Sequence, residues 1–172
     1  SDLRFLSIVN GPSIGLMHVL PVEVVPFFFQ PREYSEIERD VYSNLINRLL
    51  QGDIDCGQRL PIVPNSDDLY EKLKDGIILA KLINLVQPNC INIETLNKNL
   101  DMTIYDKFDN LNKVLVGAKT IGIDVDSLPD CFIKSRKKFI NDILGYLLLK
   151  INLPKETILI NPETEKLCNP GI

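Results

Sequence analysis

The sequence predicts an all-α domain built on four principal helices with short helical turns between them. Three observations predict it: apolar residues recur at helical spacing in four stretches, capping or stop residues punctuate those stretches, and no segment makes a convincing strand.

The first helix opens at Ser35. Glu38 follows at capping-box spacing, so the hydroxyl takes the amide three residues on and the carboxylate reaches back to the cap amide. Ile37, Val41, Leu45 and Leu49 then recur every four residues, with Tyr42, Ile46 and Leu50 beside them, and Gly52 closes the helix. Asn44, Asn47, Arg48 and Gln51 fall on its polar side. Residues 52–65 read as a loop, with Gly52, Gly57, Pro61 and Pro64. Ser66 is the expected N-cap of a short second helix with Asp67 and Asp68 in its first turn, where carboxylates suit the positive dipole end. That helix stops near Lys74-Asp75-Gly76.

A third helix follows at once. Ile77, Ile78, Leu82, Leu85 and Val86 face one way and Pro88 ends it. Residues 87–103 are polar and asparagine-rich, with one helical turn expected around Ile93–Leu96. Thr103 and Asp106 repeat the capping spacing ahead of a long helix to about Ile121, with a stripe of Ile104, Phe108, Leu111, Leu115 and Ala118. Gly122 stops it, and a turn with Asp124, Asp126 and Pro129 is expected next. The last strong helix is expected from about Ser135 to Ile151. Phe139, Ile140, Ile143, Leu144, Leu147, Leu148 and Ile151 give it an apolar face broad enough to be nearly surrounded by other helices.

The helical domain therefore spans 34–153. Residues 1–33 hold Pro12, Pro21, Pro26 and Pro31, so they read as extended, yet Val22, Val24, Val25 and Phe27–Phe29 make them strongly apolar. Packing against the helices is the favoured expectation, and contact with a partner the alternative. Residues 154–172 read as a linker or docked tail.

Composition narrows the chemistry. A formal net charge of −4 argues against non-specific nucleic-acid binding by the whole chain, while leaving room for a local basic patch. Cys56, Cys90, Cys131 and Cys168 form no C-x-x-C pair and are expected to be reduced thiols. No apolar run reaches the length of a membrane span, and no signal peptide is expected. No nucleotide loop stands at the required spacing, and His18, the only histidine, has no carboxylate or cysteine near it in sequence. Asp124 and Asp126 lack the rest of a calcium-loop pattern and read as turn residues. No catalytic residue, metal or cofactor is expected.

One cluster stands out. Lys134, Arg136, Lys137 and Lys138 gather at the start of the last helix, where each cation opposes the helix dipole by roughly 0.3–1 kcal/mol. Two readings stay open: a solvated face screened by salt, or a surface for an acidic partner such as actin or anionic lipid headgroups.

Several blocks of this sequence resemble the calponin-homology domains of fimbrins (plastins). Tyr34-Ser35-Glu36-Ile37-Glu38 leading to Asn44-Leu45-Ile46-Asn47-Arg48-Leu49-Leu50 looks like the opening helix of that family. Pro64-Asn65-Ser66-Asp67-Asp68-Leu69-Tyr70, followed by Lys74-Asp75-Gly76 and the run to Leu85, is similar to its next block. Asn110-Leu111-Asn112, Ile121-Gly122-Ile123 and Leu148-Leu149-Lys150-Ile151-Asn152-Leu153 fit as well. The resemblance covers residues 34–153. It implies a non-catalytic helical domain of calponin-homology fold that binds filamentous actin in the cytoplasm, as part of a cross-linking or bundling protein of the cytoskeleton. A divergent member serving tubulin, another cytoskeletal protein or a signalling scaffold is the alternative. By the same resemblance, the contacts to actin fall on Asn44, Asn47, Arg48 and Gln51 in the first helix and on Ile123 through Lys138, which includes the basic cluster. Asp75-Gly76 is expected to be structural. Where the family commonly carries a core tryptophan, this chain has Leu45, so neighbours must fill the volume or a cavity remains.

Overall fold

A computed structural model describes residues 27–29 and 33–152. The described residues form helices α1 (Glu36–Leu49), α2 (Asp68–Lys72), α3 (Ile77–Val86), α4 (Ile104–Thr120), α5 (Leu128–Ile133) and α6 (Lys137–Asn152), with 3₁₀ turns at Gly57–Arg59 and Ile93–Thr95. No strand occurs among them. The expected all-α architecture is present, with α1, α3, α4 and α6 as its principal helices.

Local chemistry accounts for most boundaries. Ser35 caps α1 by accepting the Glu38 amide. Thr103 and Asp106 make the complete reciprocal capping box at the head of α4. At α2 the cap is Asp67, one residue later than expected; Ser66 instead makes a tight turn, taking the Asp68 amide at 3.2 Å and donating to the Val63 carbonyl at 2.7 Å. Gly76 has φ +82°, a conformation glycine adopts without strain, and its peptide turns the chain sharply from α2 into α3.

The centre of the fold is α6. It packs against α1, α3 and α5, and residues Ile140 to Leu148 are buried without interruption, as its broad apolar face predicted. Asn141 lies inside this helix bundle and is satisfied there. It accepts from the Tyr70 hydroxyl at 2.7 Å and donates to the Ser35 carbonyl at 3.1 Å, which ties α6 to the heads of α1 and α2. Ile77–Ala80, Leu82 and Ile83 of α3 are all buried beside it.

Four further expectations need correction. First, α1 is turned from the expected stripe. Tyr42, Ile46 and Leu50 enter the core, whereas Ile37 is 77% exposed and Val41 lies at the surface. Ser43 shares the buried face because its hydroxyl donates to the Arg39 carbonyl at 2.8 Å and needs no outside partner. Leu45 is only partly buried, so the bulk in α1 comes from Tyr42 and Ile46. Second, the inward face of α4 runs through Leu111, Val114, Gly117 and Ala118, while Ile104 is exposed. Third, the turn expected around Pro129 includes a helix, α5. Proline in a first helical turn loses no needed donor and already has a helical φ.

Fourth, α6 begins at Lys137 rather than Ser135. Ser135 terminates α5: at φ +52° its amide donates to the Phe132 carbonyl at 3.2 Å, and the Arg136 amide donates to the Cys131 carbonyl at 2.9 Å. That pair is a Schellman motif, with serine at the left-handed position usually held by glycine.

Cys56, Cys90 and Cys131 are free thiols. Burial, and then the neighbouring Asp53 carboxylate, push the Cys56 thiol up to about 12. Of the N-terminal segment, Phe27 and Phe29 pack edge-on against Tyr146 and Phe139 of α6, at ring-centroid distances of 5.2 and 4.7 Å. Residues 1–26 and 30–32, including His18, and the expected tail 154–172 lie outside the described residues.

Candidate functional site

The polar positions of α1 divide into two kinds. Asn44, Arg48 and Gln51 are exposed, and no hydrogen bond or ion pair engages the Arg48 guanidinium among the described residues. Ile37, Val41, Asn44 and Arg48 follow at helical spacing along one outward face, so an apolar end and a polar end adjoin on the same surface. Asn47 does something else. Its amide nitrogen donates to the Ile62 carbonyl at 2.8 Å and its oxygen accepts the Ile62 amide at 2.6 Å, pinning the 57–65 loop to α1.

Asn84 makes the same two-way pairing with Ile91, at 2.9 and 2.8 Å. Asn110 donates to the Asp75 and Asn97 carbonyls and accepts the Asn97 amide. An asparagine amide carries a donor and an acceptor side by side, which matches one residue of backbone. The α1–α2 connection is held to the helices this way at one point and the α3–α4 connection at two.

The basic cluster is assembled from two elements. Lys134 is the C-cap of α5, where a cation suits the negative end of the helix, while Lys137 and Lys138 open α6. Each cation of the cluster has a carboxylate of the chain beside it. Lys137 Nζ donates to Asp67 Oδ2 at 2.7 Å and lies 5.3 and 5.7 Å from the Tyr34 and Tyr70 ring centroids. Lys138 donates to Asp142 at 3.2 Å and sits 4.8 Å from the Phe139 ring centroid. Lys134 and Arg136 share one acid, at 3.1 Å to Asp130 Oδ1 and 3.2 Å to Asp130 Oδ2 respectively.

Asp67 links the cluster to α1. Its second oxygen accepts from Arg39 Nη1 at 3.4 Å, and Arg39 Nε donates to Asp40 at 2.9 Å. The hydrogen bond from Lys137, helped by its charge and that of Arg39, holds the Asp67 carboxyl below the usual range, and the same bond raises Lys137. The Arg39 guanidinium is likewise raised, chiefly by Asp40.

The structure thus brings Lys137 to the head of α1, while Arg48 and Gln51 lie toward its far end. Sequence reasoning missed the acids that answer the cluster. Two of the pairs had a legible signal, since Asp130/Lys134 and Lys138/Asp142 stand at i,i+4. Asp67 had none. Asp124 and Asp126, the discarded cation-loop residues, lie near Lys119, at 3.8 and 3.2 Å. Among the described residues no group of three His, Cys, Asp or Glu side chains is placed to hold a metal, and no helix is long and apolar enough to cross a membrane.

A family profile for the calponin homology (CH) domain matches residues 37–152. Human Plastin-1 is 37% identical over 122 residues, covering 70% of this chain and 19% of its own length. Zebrafish (Danio rerio) Plastin-3 is 38% identical over 122 residues with the same coverage. Bovine (Bos taurus) Plastin-1 is 41% identical over 92 residues, which is 54% of this chain and 14% of its own. The chain spans about a fifth of the length of these relatives.

Proposed function

The chain belongs to the calponin-homology family, and from that premise we propose that it is a non-catalytic module that binds actin filaments, in the manner of a fimbrin-like cross-linking protein of the cytoplasmic cytoskeleton. The observation that carries the proposal is a pair of exposed polar stretches that each carry positive charge. One is the outward face of α1, with Asn44, Gln51 and Arg48, whose guanidinium has no partner among the described residues. The other is the half-exposed pair Lys134 and Arg136 before α6. Both stretches offer donors and positive charge to an acidic partner without disturbing the core. Lys137 and Lys138 are less exposed, at 37% and 33%, and pair with Asp67 and the buried Asp142, while Asn47 holds the 57–65 loop to α1.

Cosedimentation with filamentous actin tests the proposal. The chain is expected to pellet with filaments above its background, less at raised salt, and less again for Arg48→Glu and for Lys134→Glu with Arg136→Glu. Pelleting that is absent, or that is equal for wild type and both charge-reversed variants, would sink it. Capture of tubulin or a scaffold protein through Phe27–Phe29 has less support, because two of those three rings pack on α6.

A further inference from the structure

Asp130 is placed differently from the other two acids of the basic cluster. Asp142 is almost wholly buried, its side chain 1% exposed, so the charge it lends Lys138 is built into the core. Asp67 is anchored from a second side by Arg39, and its partner Lys137 is also held by two aromatic rings. Asp130, 35% exposed, spends one oxygen on each of two cations that are themselves 60% and 48% exposed, whereas the two cations on Asp67 are only 37% and 10% exposed. Exposed pairs of this kind exchange partners at little cost, because water screens the attraction that would be lost.

We infer that Asp130 is a built-in competitor that occupies Lys134 and Arg136 in the free domain and yields them to an acidic protein surface on binding. Asp130 is then a specificity-determining residue. Only a partner presenting a denser array of carboxylates than this single side chain displaces it, and removing its charge widens the range of acidic surfaces the domain accepts. The inference rests on the proposed acidic partner but concerns the chain's own counter-ion, so it can be read with a simpler probe.

The experiment uses the whole chain, two probes (filamentous actin and immobilised poly-aspartate) and two ionic strengths. Asp130→Asn is expected to tighten binding to both probes by roughly two- to fivefold, the factor an exposed ion pair commands, with a steeper loss on adding salt. The gain is expected to vanish when Lys134→Gln and Arg136→Gln are added. A change in salt slope is not produced by a merely structural role. Because Asp130 also lies in the first turn of α5, a melting curve accompanies each variant, and Asp130→Ser repeats the test if the asparagine variant melts lower. A gain on poly-aspartate with no actin binding by any variant leaves the inference standing and removes the actin reading. Affinity and salt slope unchanged on both probes, or a gain that survives the two glutamine substitutions, would overturn the inference whatever the chain does with actin.

Discussion

Lys137 Nζ donates to Asp67 Oδ2 at 2.7 Å, joining the first residue of α6 to the N-cap of α2 across 70 positions of sequence. The pair lies against Tyr34 and Tyr70 and reaches Arg39 of α1 through the second oxygen of the same carboxylate. Three helix heads thereby meet at one acid.

Both side chains are more than a third exposed, so solvent discounts the attraction. A double-mutant cycle of Lys137→Gln and Asp67→Asn is expected to give a coupling of about 0.5 kcal/mol in urea unfolding. Lys137→Gln is expected to weaken actin cosedimentation less than Lys134→Gln does. The reverse order would place Lys137 at the interface instead of at the helix junction.

Acid should loosen this network and a separate one around Asp55. Asp67 is held below the ordinary carboxylate range by Lys137 first, and Asp55 by Lys81 and then Lys98. A carboxyl whose folded value is depressed stabilises the fold above its unfolded value, near pH ~4, and that contribution is lost as pH falls through the folded value. Unfolding free energy is therefore expected to hold level at neutral and mildly acidic pH and to fall below about pH 4. Asp67→Asn with Asp55→Asn should show a shallower acid limb. An equally steep limb in that double variant would count against the assignment.

Asn47 and Arg48 are neighbours in sequence with opposite expectations. Asn47→Ala leaves the Ile62 amide and carbonyl without their partner and is expected to cost roughly 1–3 kcal/mol. Arg48→Ala removes an exposed cation and is expected to change stability by less than about 0.5 kcal/mol while weakening actin binding. Chemical unfolding and cosedimentation on the two variants separate support from contact.

Ser135→Gly is expected to stabilise the domain by up to about 1 kcal/mol, since an L side chain at φ +52° carries a penalty that glycine avoids. The larger freedom of glycine in the unfolded chain offsets part of the gain. A rise in the urea midpoint at constant slope is the readout, and a fall would show that the serine side chain has a role at the α5–α6 junction.

Elements whose signals lie within a few residues were legible in the sequence. The Ser35 and Thr103 caps are where hydroxyl and backbone amide stand three positions apart, and Gly76 and Gly122 end or turn helices where a positive φ is required. The fimbrin-like blocks fall on those elements, and the family they pointed to is the one whose profile matches residues 37–152. Less legible were α5, because Pro129 suits a turn and a first helical turn alike, and the Ser135 cap, because serine gives no hint of a left-handed backbone. The candidate site was readable as residue types but not as exposure. Asn44, Asn47 and Arg48 look alike on a polar helix side, and only the position of Ile62 decides that Asn47 is engaged.

By itself the sequence determined that this protein is helical, where α1 and α4 start and stop, and that α6 is the buried one. Those outcomes rest on interactions spanning one or two helical turns, which any copy of the same segment would make. Tertiary structure decided the rotation of α1 and the state of the basic cluster. Two apolar rows run along α1, Ile37/Val41/Leu45/Leu49 and Tyr42/Ile46/Leu50, and periodicity scores them alike; packing against α6 and the small, self-satisfied Ser43 select the second. Four cations beside a helix start read as repulsion until the chain folds Asp67 onto Lys137 and sets Asp130 and Asp142 beside the other three. Charge attraction acts through space, so its balance is set only when distant segments meet.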